Sequence, residues 1–322
     1  MLQIVMVIHS LDGNDRQHHM RTPKNPANLS NNDMEYPTVN TKLIVLLGNP
    51  LGHSVSPAMH NRVFAKLGLD YCYLPVQVQP EDLKTVFAGL TKMNVAGFNV
   101  TIPHKLRIIE HLDSLDPLAV TIGAVNTICV KDGKTRGYNT DGEGFIQALE
   151  EEGKISVRDK RVYLLGCGGA ARAIAMTLAF RGAEKIFIGN RTLAKAEALA
   201  VEINKKIRNC AGAVDGLAVR QAETIKSCDI LVNCTSLGMH PRNEALPIGE
   251  EALFEHLVVA DIVYNPHTTR LLAIAQAKGC RIVHGLGMLI YQGAAGFKLW
   301  TGVDPLIPEM TEIAYALMAG KK

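Results

Sequence analysis

Residues 161–171 read RVYLLGCGGAA: an apolar run rich in β-formers enters a glycine turn and continues into a helix of small residues, Arg172 to Phe180. GxGxxA between a strand and a helix is a dinucleotide-binding fingerprint. Gly166 permits the tight turn, and Gly168 lets a pyrophosphate approach the backbone. The small third position lets the helix pack on the strand while its amino end faces the anion. An ordinary βα turn is the competing reading, which the flanking strand and helix make the weaker one. Cys167 is read as a small residue tolerated within the turn, although a helix amino end can activate a thiol.

The next strand, near 184–189, ends in Asn190-Arg191-Thr192, close to where NAD-binding folds carry an acid for the ribose. No acid is present. Arg191, with Lys195 one helical turn on, suits a 2′-phosphate, while Thr192 is expected to cap the helix and donate a hydrogen bond. NADP is therefore preferred to NAD. A solvated helix start with incidental cations is the plainer alternative.

Outward from this unit, strands are expected near 229–234, 258–263 and 281–284, with a helix near 192–206. The first half offers strands near 42–47, 70–78, 95–101, 124–130 and 134–139, and helices near 57–67, 80–91 and 142–152. A turn at Lys131-Asp132-Gly133 makes its last two strands a hairpin. Alternating strands and helices give an α/β fold with largely parallel sheets. The expected architecture is an N-terminal α/β substrate domain, residues 41–148, and a Rossmann-type dinucleotide-binding domain, residues 149–295, with a cleft between them. The boundary is placed in the charged stretch near 145–155. The final helices, near 288–300 and 307–319, are expected to cross back, so that about 296–322 rejoins the first domain. Residues 1–40, polar and rich in Asn, Pro and His, read as a poorly ordered extension, with an added edge strand as the alternative. The apolar run Leu2 to Ile8 lacks the basic flank and cleavage site of a signal peptide.

Composition excludes several classes of function. The 322 residues carry 34 Lys and Arg against 31 Asp and Glu, a net charge of +3 that gives no electrostatic footprint for nucleic acid. No apolar run is long enough for a membrane span. Seven cysteines, at 72, 129, 167, 210, 228, 234 and 280, form no CxxC and no ligand spacing with histidine. A reduced, cytoplasmic protein without a metal site is expected, its partner a small molecule. Sequence does not fix the oligomeric state and leaves room for a homodimer.

Three polar clusters sit at expected strand ends in the first half: GNPLGHSVSP at 48–57, NVTIPHK at 99–105 and NTDG at 139–142. Ligands in open α/β sheets bind outside the carboxyl ends of strands, so the clusters are placed on one cleft. Each also resembles a helix start, with Ser56 before Pro57, Thr101 before Pro103, and Asp141 as a cap. His53, His60 and His104 fall nearby without metal spacing. His104 is read as a loop residue.

Taken together, GNPLGHSVSPAMHN (48–61), GFNVTIPHK (97–105), GAVNT (123–127), YNTDG (138–142), GCGGAARA (166–173), NRT (190–192), NCTSLGM (233–239), DIVYNP (261–266) and GLGMLIYQGA (285–294) resemble the shikimate dehydrogenase family in identity and order over residues 42–320. The resemblance implies reversible NADP-dependent reduction of 3-dehydroshikimate to shikimate, in chorismate and aromatic amino acid biosynthesis. It implies that Ser54 and Ser56 hold the substrate carboxylate, while Thr101, Lys105, Asn126, Asp141 and Gln292 bind ring hydroxyls and the reacting oxygen. Tyr264 is implied as a further substrate contact. Gly166, Cys167, Gly168, Gly169, Ala170, Asn190, Arg191, Thr192 and Lys195 match the dinucleotide segments, and Gly285 with Met288 the region near the nicotinamide. Lys195 keeps the charge of the family's second basic residue but not its planar fork.

The chemistry agrees independently. A ketone accepting hydride becomes an alkoxide, so the site needs a proton donor and a positive charge beside that oxygen. Lys105 supplies both, and Asp141 is expected beside it. Two alternatives stand: a quinate or quinate/shikimate dehydrogenase using NAD or NADP, and a non-catalytic NADP-binding regulatory relative.

Overall fold

The computed structural model describes residues 37–52, 54–215 and 218–319. The expected extension, apart from residues 37–40, and His53 lie outside the described residues. Two six-stranded sheets organise the rest.

The first sheet contains β1 (Lys42–Gly48), β2 (Tyr71–Gln77), β3 (Val95–Val100), β4 (Ser114–Leu115), β5 (Thr127–Lys131) and β6 (Lys134–Tyr138), in the order β2-β1-β3-β5-β6-β4. It is mixed: β1 runs parallel to β2 and β3, whereas β5 is antiparallel to β3 and β6. The β5–β6 hairpin turns through Asp132 and Gly133 with φ of 52° and 72°, the left-handed pair that a two-residue turn between twisted strands requires. Helices α1 (Ser56–Lys66), α2 (Leu83–Leu90) and α3 (Pro117–Ile122) accompany this sheet. From Leu43 to Leu47 strand β1 is apolar without a break because both faces are covered. Ile44 and Leu46 pack with Phe64, Tyr73, Phe297 and Trp300, and Val45 and Leu47 with Phe87, Phe98 and Ile128.

The second sheet is wholly parallel, in the order β12-β11-β10-β7-β8-β9. Its strands are β7 (Arg161–Leu165), β8 (Lys185–Gly189), β9 (Ala211–Val214), β10 (Ile230–Asn233), β11 (Val258–Asp261) and β12 (Arg281–Val283). The connecting helices are α5 (Gly169–Phe180), α6 (Leu193–Lys206), α7 (Ala218–Lys226) and α8 (Arg270–Ala277). The order departs in both directions from β7, which places the glycine turn at the switch point where such sheets bind nucleotides.

Two helices belong to both halves. Helix α4 (Asp141–Glu151) starts among the first sheet's strand ends, yet its Phe145, Ile146, Ala148 and Leu149 join the core of the second. Helix α9 (Gly285–Thr301) gives Leu286, Ile290, Ala294, Phe297 and Trp300 to the first core, and its Met288 and Tyr291 pack against the second. The chain thus rejoins the first sheet from residue 286, ahead of the sequence expectation of about 296, because α9 is one unbroken amphipathic helix. Trp300 fixes its far end by donating from Nε1 to Ile128 O at 3.0 Å. Helix α10 (Ile307–Ala319) closes the described chain.

Candidate active site

Three strand ends and two helices build the site. Strand β3 continues past Val100 through Thr101, whose N–H donates to Leu47 O at 2.8 Å. The chain then folds into turns as far as a single 3-10 turn, Arg107–His111. The helix start expected at Thr101-Ile102-Pro103 is absent, because buried His104 pins the turn with Nε2 donating to Val78 O at 2.8 Å. This leaves Lys105 projecting from a turn, with its backbone carbonyl accepting from Val125 N at 2.9 Å.

Lys105 Nζ donates to Asp141 Oδ2 at 2.6 Å; the lysine side chain is 26% exposed and the aspartate 9%. The ammonium is therefore reachable from solvent while its counter-charge is largely buried. Asp141 does not cap α4 as its sequence context suggests. Thr140 holds that position without a side-chain bond, and the carboxylate turns away from the helix to Lys105 and Asn126. Buried Asn126 donates through Nδ2 to Asp141 Oδ1 at 2.8 Å and to Gln292 Oε1 at 3.3 Å, and accepts at Oδ1 from Thr140 N at 2.8 Å. Gln292 arrives from α9 because Gly144 lets α4 approach it: a Cβ on Gly144 would lie 2.5 Å from Gln292 N. Lys105, Asn126, Asp141 and Gln292, predicted from four separate motifs, form one constellation.

Ser54 stands on the loop after β1 and Ser56 opens α1, its N–H donating to Ser54 Oγ at 3.3 Å. Neither hydroxyl caps α1; Val55 occupies the cap without a side-chain bond. The Ser56 hydroxyl approaches that of Tyr73, which donates to Asn99 Oδ1 at 2.8 Å. Asn99 Nδ2 donates to Asn126 O at 3.1 Å, completing a buried polar chain from the serines to the lysine side of the site. Such a chain is stable only when each member finds a partner. Sequence reasoning missed Tyr73, because a tyrosine on a buried strand reads as core. Asn99 was quoted within a motif but given no role. Among the described residues, Tyr264 has no hydrogen bond to this constellation; it is exposed on the loop after β11. His60 is buried in an aromatic stack with Tyr73, Phe64, Phe297 and Trp300 and takes no part in the cleft.

On the second sheet, Gly166 has φ of +105°, and a Cβ there would lie 3.1 Å from Cys234 O, so the turn admits only glycine. Beyond it, Gly168 and Gly169 have nothing within 4 Å of a Cβ position, leaving open space over the amino end of α5. A cavity of about 170 Å³ opens beside them, lined by Cys167, Gly168, Asn190, Arg191, Thr192 and Lys195. Arg191 and Lys195 are exposed and form no salt bridge among the described residues. Unpaired cations, free helix N–H groups and an open glycine face fit a phosphorylated dinucleotide. Thr192 is the cap residue of α6 but makes no side-chain cap bond; Asn190 Nδ2 donates to Thr192 O at 2.8 Å instead. Burial pushes the Cys167 thiol up, only partly opposed by Lys195, consistent with a packing role. Gly285 opens α9 where a Cβ would lie 2.6 Å from Ile262 O, and Met288 lies one turn further along. The 233–239 segment, a motif without an assigned role, flanks the glycine turn through Cys234 and Thr235.

No group of three or more His, Cys, Asp or Glu among the described residues is arranged to hold a metal ion. No helix among them is long and apolar enough to cross a membrane.

Three family models match the chain in order: the shikimate dehydrogenase substrate binding domain over residues 46–128, shikimate / quinate 5-dehydrogenase over 148–247, and the shikimate 5′-dehydrogenase C-terminal domain over 285–315. The shikimate dehydrogenase (NADP(+)) of Methanocaldococcus jannaschii is 49% identical over 275 residues, 84% of this chain and 95% of that protein. A crystal structure of a shikimate dehydrogenase in complex with NADP+ superposes with a TM-score of 0.82 at 44% identity, over 88% of this chain and 98% of the other. Quinate dehydrogenase from Corynebacterium glutamicum in complex with NAD superposes at 0.80 with 31% identity, over 86% and 99%.

Proposed function

The chain belongs to the shikimate dehydrogenase family, and from that premise we propose that it reduces 3-dehydroshikimate reversibly to shikimate with NADPH, by the following use of its residues. The coenzyme, when bound, supplies the hydride to the substrate carbonyl carbon. Lys105 donates the proton that the carbonyl oxygen takes up, and its positive charge stabilises that oxygen as charge develops there. Asp141 aims the ammonium and balances its charge. Asn126 holds the carboxylate from its other side, and Asn126 and Gln292 offer amide groups to ring hydroxyls. In the oxidative direction the neutral amine of Lys105 accepts the alcohol proton.

Ser54 and Ser56 anchor the substrate carboxylate with neutral hydroxyls, which bind less strongly than an arginine fork and leave affinity moderate. Thr101, beside Lys105, and Tyr264, from the opposite sheet, complete the substrate contacts. Gly166 to Ala170 would hold the pyrophosphate, Asn190, Arg191, Thr192 and Lys195 the 2′-phosphate end, and Gly285 and Met288 the nicotinamide side. The substrate domain comprises residues 41–148 with the returning C-terminal helices, and the NADP domain the segment between them. Seven unpaired cysteines suit a reducing compartment such as the cytoplasm.

The observation that carries this reading is the 2.6 Å pair of Lys105 and Asp141. Replacing Lys105 with Ala should lower kcat about a hundredfold or more with a much smaller change in KM, the pattern of an interaction used in the transition state. Turnover at the wild-type rate would remove Lys105 as the proton donor.

A further inference from the structure

Helix α3 ends at Gly123, in the left-handed conformation at φ +70°, leaving its last carbonyls without partners inside the helix. Two of those carbonyls are satisfied from the opposite sheet. Arg172 Nε donates to Ile122 O, and Lys206 Nζ donates to Thr121 O at 3.2 Å. Cations are favoured at a helix carboxyl end, where the peptide dipoles leave partial negative charge. Glu202 joins the two donors: it takes both guanidinium terminal nitrogens of Arg172, and Lys206 at 2.7 Å. The Arg172 and Glu202 side chains are 24% and 29% exposed, so solvent screens the cluster only in part.

The two ends of this cluster are what give it a role. Arg172 lies in the first turn of α5, three residues after Gly169. Glu202 and Lys206 lie on α6, whose amino end carries the cavity lined by Arg191 and Lys195. On the other side, the chain leaving α3 runs directly through Val125, which holds the Lys105 carbonyl, to Asn126, which holds Asp141. A path of short, directional contacts therefore joins both nucleotide-side helices to the segment that sets the Lys105–Asp141 pair. Arg172 is not among the residues lining the nucleotide cavity, and its Nε and both terminal nitrogens are engaged by Ile122 O and Glu202.

We propose that Arg172 is a positioning residue for hydride transfer: clamped by Glu202, it fixes the α3 end, and through it Asn126 and Lys105, in register with the glycine turn. The proposal rests on the reaction given above. Its effect belongs to the chemical step, because a misplacement of about 1 Å between reacting groups is enough to slow a reaction by up to about a hundredfold.

The test is a single-turnover measurement with wild-type, Arg172→Met and Arg172→Lys proteins, mixing enzyme and NADPH with 3-dehydroshikimate at saturation and following loss of the reduced coenzyme. The rate constant should fall about tenfold in Arg172→Met and less in Arg172→Lys, which restores one donor. The amplitude per folded molecule and both dissociation constants should stay within about twofold of wild type on this account of positioning. A reduced amplitude per total protein at the wild-type rate constant would mean a stability role alone. A weakened NADPH dissociation constant that accounts for the loss would make Arg172 a coenzyme ligand. Either result overturns the proposal. Should Arg172→Met fail to fold, Glu202→Gln serves: it leaves the bond to Ile122 O and removes the charged clamp, and is expected to slow the step several-fold, a wild-type rate constant contradicting the proposal. Failure of the activity itself would show in the wild-type protein, whereas failure of the clamp shows in the variant to wild-type ratio.

Discussion

Arg191 and Lys195 face solvent beside the glycine turn without a carboxylate among the described residues to neutralise them. Because a charge-assisted contact is worth roughly 1.5–3 kcal/mol, Arg191→Ala should raise KM for NADP+ on the order of tenfold or more. KM for NAD should hardly move. Equal effects on the two coenzymes in steady-state assays would show that Arg191 does not read the phosphate. Glu202 gives a pH prediction. Arg172 holds its carboxylate down to about 2, against about 4.3 in an unfolded chain. Its stabilisation is thus complete above the unfolded value and lost as pH falls toward the folded one. The gap in unfolding free energy between wild type and Glu202→Gln should narrow as pH drops through this window; a constant or widening gap would contradict it. Asp261 has the opposite sign: burial pushes it up to about 6, so its contribution weakens as pH rises toward that value. At this scale Lys105 and Asp141 stood out as polar residues at expected strand ends, whereas Asn126 and Gln292 were implied only by the family resemblance. Tyr73 was not, since its role depends on what its hydroxyl meets.

Helices α4 and α9 touch where glycine permits it. A Cβ on Gly144 would press on Gln292 N, Cα and Cβ at 2.5–2.9 Å, atoms that cannot swing aside. Gly144→Ala should therefore cost about 1–3 kcal/mol of stability in chemical denaturation. It should also depress kcat/KM by displacing Gln292; wild-type stability in the variant would refute the contact. Long periodic elements were readable, and β8 and α6 appear within one residue of expectation. Helix α3 was overlooked although its signals are present: Asp116 Oδ1 accepts from Leu118 N at 3.0 Å, Pro117 follows, and Gly123 ends the helix. Six residues are too few for periodicity to register. Helix α8 likewise has its cap in Thr269, whose hydroxyl accepts from Leu272 N at 3.3 Å. Strand β9, Ala211–Val214, offers only four small residues and owes its existence to pairing with β8.

Two largely parallel sheets followed from the alternation of strands and helices, but the sharing of α4 and α9 between both cores did not, because each helix has apolar residues on more than one face. This sharing predicts how the molecule unfolds. The single tryptophan, Trp300, sits in the first core on α9, so its fluorescence reports that half, while far-ultraviolet circular dichroism reports both. The two probes should give coincident denaturation curves. Separate midpoints would mean that the halves unfold independently. The proposed function, too, draws on the two halves together, since the proposed proton donor Lys105 belongs to one sheet and the cations proposed to read the phosphate to the other. The most direct measurement is wild-type kcat/KM for shikimate and for quinate, each with NADP+ and with NAD+. Shikimate with NADP+ is predicted to exceed the other three combinations, and a higher value for quinate with NAD+, or no turnover in any of the four, would contradict the account.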